Sequence, residues 1–554
     1  MLAVPKFRAV TTHKESFCVF AKMALNIHIS GPKIIMHNKT ISDMFEEQLN
    51  NNQGLFGIDC STGKEYSYPK LKKDVLALAT AYQNHDIGHG DVVMIIDYGS
   101  YEGQVVMLAG ILIGTTIASL DHNLRKSVVT TLINESKPSV LFCNTHSINI
   151  VAEILQTITH RPTLKISDMI HDSFTAYSNI VVAEEEISLV RPIKSKNPIG
   201  PCAIIYSSGT TGVPKGIYLS DDAMKSALIS FKQSLMDEPI ENRFMIISPV
   251  FWYTGMLLMM LGIHFGKPRL FFSSKSTTEQ VLCSIEKFKP TFLMTGVAEV
   301  NEMMACQMAN GHKYNIQSLT TCVVGGSPMR AELQESIENN LLQGRIPIKQ
   351  GYGASEQGIL AVWSMDSDKS TVRAGSVGRP AAGIKIRIVS LETGKCVGPN
   401  TEGEIRIKSV SNMMGYLNDM KKTICSYDED GWFKSGDVGY YTDDCCLFIV
   451  GRIKELMIYK HQRIAPSDIE TVLLSHPAVL DAGVTRKYSV DGDLLVGVVK
   501  VKPGQNVEPD LLLSYVNDRV KDHEKLRGGI IFVDNLPRSP AGKLKREKLL
   551  NIIQ

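Results

Sequence analysis

Between Tyr206 and Ile217 the chain reads YSSGTTGVPKGI. Gly209, Gly212 and Gly216 let a backbone approach an anion closely, and consecutive amide N–H groups can form a cradle around it. Ser207, Ser208, Thr210 and Thr211 add hydroxyl donors, and Lys215 adds a positive charge. Such a set suits the phosphates of ATP. It is not the ordinary phosphate loop, which needs Gly-Lys followed by Ser or Thr. Here Lys215 stands between Pro214 and Gly216. A ligand-free Gly-Ser-Thr surface loop has the same composition, so composition alone leaves both readings open.

Four later segments carry further chemistry. QGYGASEQG, from Gln350 to Gly358, offers an aromatic face at Tyr352 and a carboxylate at Glu356, a hard ligand of the kind Mg²⁺ takes. GWFKSGDVGYY, from Gly431 to Tyr441, contains Asp437, whose carboxylate can accept from two hydroxyls at once. GRIKELMIYK and PRSPAGKLKREKL, beginning at Gly451 and Pro537, supply Arg452, Lys460 and Lys543. Each has a plainer counterpart. A tyrosine packs, an aspartate before a strand caps a turn, and Lys545, Arg546 and Lys548 read as helix-surface charges.

The elements that must hold these residues alternate between β-type and helical runs over the first 450 or so positions. Val92–Asp97, Ser139–Cys143, Pro201–Ser207, Phe244–Pro249 and Thr321–Gly325 read as strands. Several are almost wholly apolar, as parallel strands covered on both faces are. That pattern gives an α/β class. After Gly451 the character changes. Pro466 suits the first turn of a helix reaching Ser475. Runs at Ala482–Tyr488 and Leu494–Val501 flank the turn signal Asp491-Gly492. A helix at Glu508–Lys521 and a strand at Ile530–Val533 follow. The expected organisation is an N-terminal extension (1–34), a large multi-layer domain of sheets and helices (35–450) and a small α+β domain (451–554).

The 554 residues carry a net charge of +2, with 44% apolar and 21% charged residues. That balance gives no pull toward nucleic acid or an anionic membrane. Eleven cysteines without a CxxC pair suggest neither a disulfide framework nor a zinc ribbon. Free thiols in a reducing, cytoplasmic setting are expected, with Cys445 and Cys446 on a strand. The apolar run Val105–Leu120 is broken by glycines and threonines and reads as a buried core helix, since a span needs about 20 apolar residues. Lys6, Arg8, Lys14 and Lys22 against a single acid weakly resemble a mitochondrial transit segment. A disordered extension before Met23 is the favoured reading. The last residues, Asn-Ile-Ile-Gln, are not a peroxisomal address.

Taken together and in order, the five segments resemble the adenylate-forming superfamily, which holds acyl-CoA synthetases, peptide-synthetase adenylation domains and beetle luciferases. The likeness runs from about residue 35 onward and is nearest to insect luciferase-like acyl-CoA synthetases. It implies that Ser207, Ser208, Gly209, Thr210, Thr211, Gly212 and Lys215 hold ATP phosphates, with Thr211 and Glu356 toward Mg²⁺. Gly326 and Ser327 belong to an adenine and acyl-pocket loop, Gly325–Pro328. Gly351 and Gly353 flank Tyr352, which stacks on adenine, and Ser355 touches the α-phosphate. Asp437 takes the ribose hydroxyls and Arg452 contacts ribose and phosphate near a hinge at Gly451-Arg452. Lys543 is the catalytic lysine, acting with Lys215, Ser355 and Glu356. The resemblance implies acyl-AMP formation, then rotation of a mobile small domain and transfer to CoA through a tunnel beside Lys460, His461 and Gln462.

The chain departs from that family at four places. His461 stands where a glycine usually lets pantetheine pass, and Trp252 stands where a histidine is frequent. Asp221 also replaces a histidine, and Gly451 replaces a charged residue. Phe251, Trp252, Tyr253 and Thr254, with Gly326 and Gly351, suggest an apolar acyl pocket for a fatty or aryl acid; core packing explains the aromatics equally well. A luciferase-type oxygenase and a non-catalytic nucleotide- or acyl-binding relative remain as alternatives.

Overall fold

The computed structural model describes residues 28–554 except 37, 181–199, 208–213, 236–242, 365–366, 460–461, 490–491, 503, 539–543 and 554. Among the described residues there are four sheets. The first has eight strands, in the spatial order Gly415–Tyr416, Lys215–Ser220, Pro201–Ser207, Thr116–Leu120, Val92–Ile96, Val140–Cys143, Leu164–Ser167 and Thr175–Ala176. Its centre is parallel, and Thr116–Leu120 is buried along its full length. Strands covered on both faces run apolar rather than alternating, as the adjacent Val92–Ile96 and the next strand Val140–Cys143 do.

The second sheet has nine strands, running from Arg379–Pro380 through Gly358–Val362, Ile348–Ala354, Thr321–Gly325 and Phe292–Gly296 to Phe244–Ile246, Arg269–Phe271, Leu55–Asp59 and Lys64–Ser67. The strand expected over Phe244–Pro249 ends at Ile246, where its pairing with Met294 ends, and Pro249 beyond has no N–H to pair. The third sheet is antiparallel and contains Lys385–Val389, Gly403–Lys408, Phe433–Tyr441 and Leu447–Arg452. Its edge is Ile29–Ser30, paired with Lys385–Val389, and Ile29 is 1% exposed. The stretch read as an extension thus already belongs to a sheet before residue 35.

The fourth sheet is the core of the small domain: Gln462–Ile464, Met457–Tyr459, Gly492–Val501 and Val479–Ser489, with Ile530–Phe532 parallel to Gly492–Val501. Helices Pro466–Leu474 and Pro509–Asn517 contribute Ile469, Leu473, Leu512 and Val516 to its buried cluster. The second helix is shorter than the expected Glu508–Lys521. A large α/β body and a smaller α+β body follow, as the sequence implied.

Three local expectations are corrected. The run Val105–Leu120 is a wholly buried helix end, Tyr101–Leu112, followed by strand Thr116–Leu120, because Gly114 at φ +78° stops the helix. Cys445 and Cys446 lie in the turn before Leu447–Arg452, where Cys445 takes φ +67° and Thr442 N–H donates to Cys446 O at 3.0 Å. Arg546 is not a solvated charge. It donates to Glu455 Oε2 at 2.9 Å and Glu470 Oε2 at 2.8 Å, fastening helix Arg546–Ile553 to the rest of the small domain.

Candidate active site

The site forms where the ends of both large sheets meet the antiparallel third sheet. Thr321–Gly325 and Ile348–Ala354 are parallel neighbours, with Gly325 opposite Gly351. A Cβ on Gly325 would lie 2.9 Å from Gly351 O, so the two backbones come together only because a side chain is absent. Gly326 then turns at φ +86° and leaves Ser327 exposed at the rim.

One strand residue further, Tyr352 points across to the third sheet. Its phenol donates to Asp437 Oδ2 at 2.6 Å, and Arg452 Nε lies 3.0 Å from Asp437 Oδ1. Asp437 and Arg452 are direct partners in the ladder between Phe433–Tyr441 and Leu447–Arg452. Burial and the Asp437 charge hold the Tyr352 phenol well above its ordinary range. Asp437 raises the Arg452 guanidinium, which also senses Tyr352 and Glu356. Gly451 lies within the same strand, between the third sheet and the small domain.

Ile348–Ala354 and Gly358–Val362 form a hairpin whose turn carries Ser355 and Glu356. Glu356 Oε1 accepts from the Tyr416 hydroxyl at 3.0 Å, and Glu356 O accepts from Met413 N at 2.8 Å. Tyr416 sits opposite Ile217 on the edge strand beside Lys215–Ser220. In that strand Lys215 is paired with Ser207. Through Tyr416, the turn that carries Glu356 is tied to strand Lys215–Ser220. Ser208, Gly209, Thr210, Thr211 and Gly212 lie outside the described residues.

A further lysine enters here that the sequence reading passed over. The Lys422 ammonium stands 3.9 Å from the centre of the Tyr416 ring. Burial and the adjacent Lys215 bring it down to about 8. In sequence, Lys421-Lys422 reads as a solvated pair on a short helix. Only the pairing of Gly415–Tyr416 with a strand 200 residues upstream brings Lys422 to the site.

Of the expected acyl-pocket residues, Phe251 and Tyr253 are buried while Trp252 and Thr254 are half-buried. Phe251 meets Trp252 edge-on at 5.8 Å, Tyr98 at 6.2 Å and His122 at 6.4 Å. Tyr253 heads helix Tyr253–His264 and belongs to the main core cluster. Tyr98 and His122 are thus neighbours of Phe251 that sequence reasoning missed. Burial lifts Tyr98 to about 12 and lowers His122, which favours the neutral imidazole.

Lys543, Lys460 and His461 lie outside the described residues. Gln462 is exposed on its strand. Arg538 pairs with Leu544 as an isolated bridge and donates to Asp481 Oδ2 at 2.9 Å. It is also among the charges acting on Glu299, in the first turn of helix Val297–Ala309. The small domain meets the large one there through Asn301 Nδ2, which donates to Leu480 O at 3.2 Å. A second contact joins Arg330 to Asp468, in helix Pro466–Leu474. No helix of the described residues is long and apolar enough to cross a membrane.

A family model described as AMP-binding enzyme matches residues 45–417, and one described as AMP-binding enzyme C-terminal domain matches residues 468–543. A probable CoA ligase of Humulus lupulus is 27% identical over 529 residues, covering 93% of each chain. A luciferin 4-monooxygenase of Luciola mingrelica is 27% identical over 504 residues, covering 89% of this chain and 90% of its own. The solved structure of an anthranilate CoA ligase in complex with anthranoyl-AMP superposes with a TM-score of 0.83 at 19% identity, over 94% of this chain and 98% of that one.

Proposed function

Because the chain belongs to the AMP-binding enzyme family, matched over residues 45–417, we propose that it activates a carboxylic acid as an acyl-adenylate and transfers the acyl group to CoA. The observation that carries this reading is the linked set Tyr352–Asp437–Arg452 beside Glu356 and Lys215. A buried carboxylate suits two ribose hydroxyls, an aromatic face suits adenine, and the lysine suits phosphate. The names of the relatives, a probable CoA ligase among them, support the acid-thiol ligase assignment.

In the first half-reaction a carboxylate oxygen forms a bond to the α-phosphorus. The bond from that phosphorus to the bridging oxygen breaks, and pyrophosphate leaves with the electron pair. Both reactants are anions, so the protein must align them and offset their charge. In this reading Lys215 holds the terminal phosphates, Asp437 and Arg452 fix the nucleoside, and Ser355, in the turn beside Glu356, contacts the α-phosphate. Preorganised donors of this kind contribute on the order of 3 kcal/mol each. Glu356 fits Mg²⁺: one of its oxygens accepts from Tyr416, and a carboxylate at the phosphate end is the usual protein ligand for that ion. When bound, Mg²⁺ would supply further neutralisation of the phosphates. Lys543 is proposed to bring a last positive charge from the small domain.

In the second half-reaction the CoA sulfur bonds to the acyl carbon, AMP leaves and the thiol proton is released. Phe251, Trp252, Tyr98 and His122 support an apolar acyl site for a fatty or aryl acid, with one neutral polar edge at the imidazole.

The test is pyrophosphate release across a panel of fatty and aryl acids with Mg-ATP, run with and without CoA. Acid-dependent pyrophosphate release and an acyl-CoA product are expected. Absence of release over the whole panel would overturn the reading. Acyl-AMP without thioester would restrict it to adenylation and place the block at His461. Light on mixing with ATP, a luciferin and oxygen would favour an oxygenase.

A further inference from the structure

Lys422 is placed by the fold, not left to wander on the surface. Its helix, Met420–Cys425, follows directly from the edge strand Gly415–Tyr416 and is tied back to it. Tyr416 N donates to Thr423 Oγ1 at 2.9 Å, and Thr423 Oγ1 donates to Asp419 O at 2.9 Å. Asp419 Oδ1 accepts from Lys422 N at 2.9 Å. Leu417 N donates to Gly216 O at 2.8 Å, next to Lys215 itself. A Cβ on Gly216 would lie 2.9 Å from Leu417, so the two segments are packed as closely as a glycine permits.

This fastening sets the Lys422 stem over the Tyr416 ring, with the ammonium 3.9 Å from its centre. The Tyr416 hydroxyl meets Glu356 on the far side. After burial, Lys215 is what lowers Lys422 most, and Glu356 and Asp419 are the carboxylates whose charges reach Lys422. Two ammonium groups held together repel, and the arrangement becomes favourable when a multiply charged anion lies between them. The aromatic face attracts the ammonium and holds it in place.

We propose that Lys422 is a second cationic contact for the β- and γ-phosphates of ATP, and for the departing pyrophosphate, working as a pair with Lys215. The inference rests on the adenylation reading and adds a residue to it. It assigns the terminal phosphates to the gap between strand Lys215–Ser220 and helix Met420–Cys425. AMP lacks those phosphates, so Lys422 distinguishes ATP from AMP rather than binding nucleotides in general.

The experiment titrates the full chain with ATP, AMP and inorganic pyrophosphate by calorimetry, using wild type, Lys422→Met, Lys422→Arg and the exposed neighbour Lys421→Met. Loss of one charge-assisted contact is expected to weaken ATP and pyrophosphate by about tenfold or more in Lys422→Met. AMP affinity is expected to stay within about twofold, which also reports a folded site. Lys422→Arg should recover most of the loss, and Lys421→Met should match wild type. Equal loss for AMP and ATP, or unchanged pyrophosphate affinity in Lys422→Met, overturns the proposal while adenylation stands. Wild-type protein that binds neither ATP nor pyrophosphate overturns the adenylation reading and this inference together.

Discussion

The phenol of Tyr352 donates to Asp437 Oδ2 at 2.6 Å, joining two residues that lie 85 positions apart in the chain. The bond crosses from the nine-stranded sheet to the antiparallel sheet. It ties the ring to the carboxylate, so that in the proposed function the face offered to adenine and the oxygens offered to ribose keep one geometry. Asp437→Asn keeps the shape but removes the charge opposite Arg452. It is expected to raise the KM for ATP by about tenfold or more, since hydrogen bonds to charged groups are worth roughly 1.5–3 kcal/mol. Steady-state pyrophosphate release measures it. An unchanged KM would separate Asp437 from nucleotide binding.

Glu356 tests the metal. Glu356→Gln can still accept from the Tyr416 hydroxyl, as the native side chain does at 3.0 Å, but it brings no charge. The Mg²⁺ concentration for half-maximal pyrophosphate release should rise by about tenfold, and saturating Mg²⁺ should restore part of the rate. A parallel loss at every Mg²⁺ concentration would show that Glu356 does not serve the ion. Calorimetric titration of Mg²⁺ into the ATP-bound protein gives a second, activity-free reading.

The contact between the two bodies carries a pH dependence. Burial lifts Asp468 from the ordinary 3.8 to about 6, despite Arg330 beside it. Between those values the docked protein holds a proton that the separated or unfolded chain has released. Docking and stability therefore fall as pH rises through that window, and the contribution of Asp468 is most favourable below it. Asp468→Asn should flatten the thermal midpoint between about pH 4 and 6 relative to wild type. A variant whose midpoint follows the wild-type curve would exclude Asp468 as the source.

The small domain depends on Arg546. Its guanidinium reaches Glu455 and Glu470, and the two carboxylates outweigh burial and raise it above its ordinary value. Arg546→Met leaves the half-buried Glu470 without this partner. A loss of about 3 kcal/mol in urea unfolding of the small-domain transition is expected, in the range found when one member of a buried pair is removed. A change below about 0.5 kcal/mol would mean that the pair is solvated in solution.

The sequence by itself determined the class of fold and named most of the residues that meet at the candidate site. Continuous apolar runs such as Val92–Ile96 demand strands covered on both faces, and they were legible for that reason. Tyr352, Glu356, Asp437 and Arg452 were legible because each sits in a short motif whose glycines shape the local turn. Strand ends were less so, as at Ile246, because an end is set by where the neighbouring strand stops pairing.

Only the tertiary structure decided which charges are solvated and which are used. Lys422 and Arg546 look alike in sequence, as basic residues on short helices. One is carried to Lys215 by an edge strand, and the other is clamped by two carboxylates 76 and 91 positions away. The same holds for Tyr98 and His122, which come to lie against Phe251 only through packing. Local patterning encodes what a segment can bury or how it can turn. The partners of a long polar side chain depend on which distant strand lies beside it, and that is settled only when the sheets assemble.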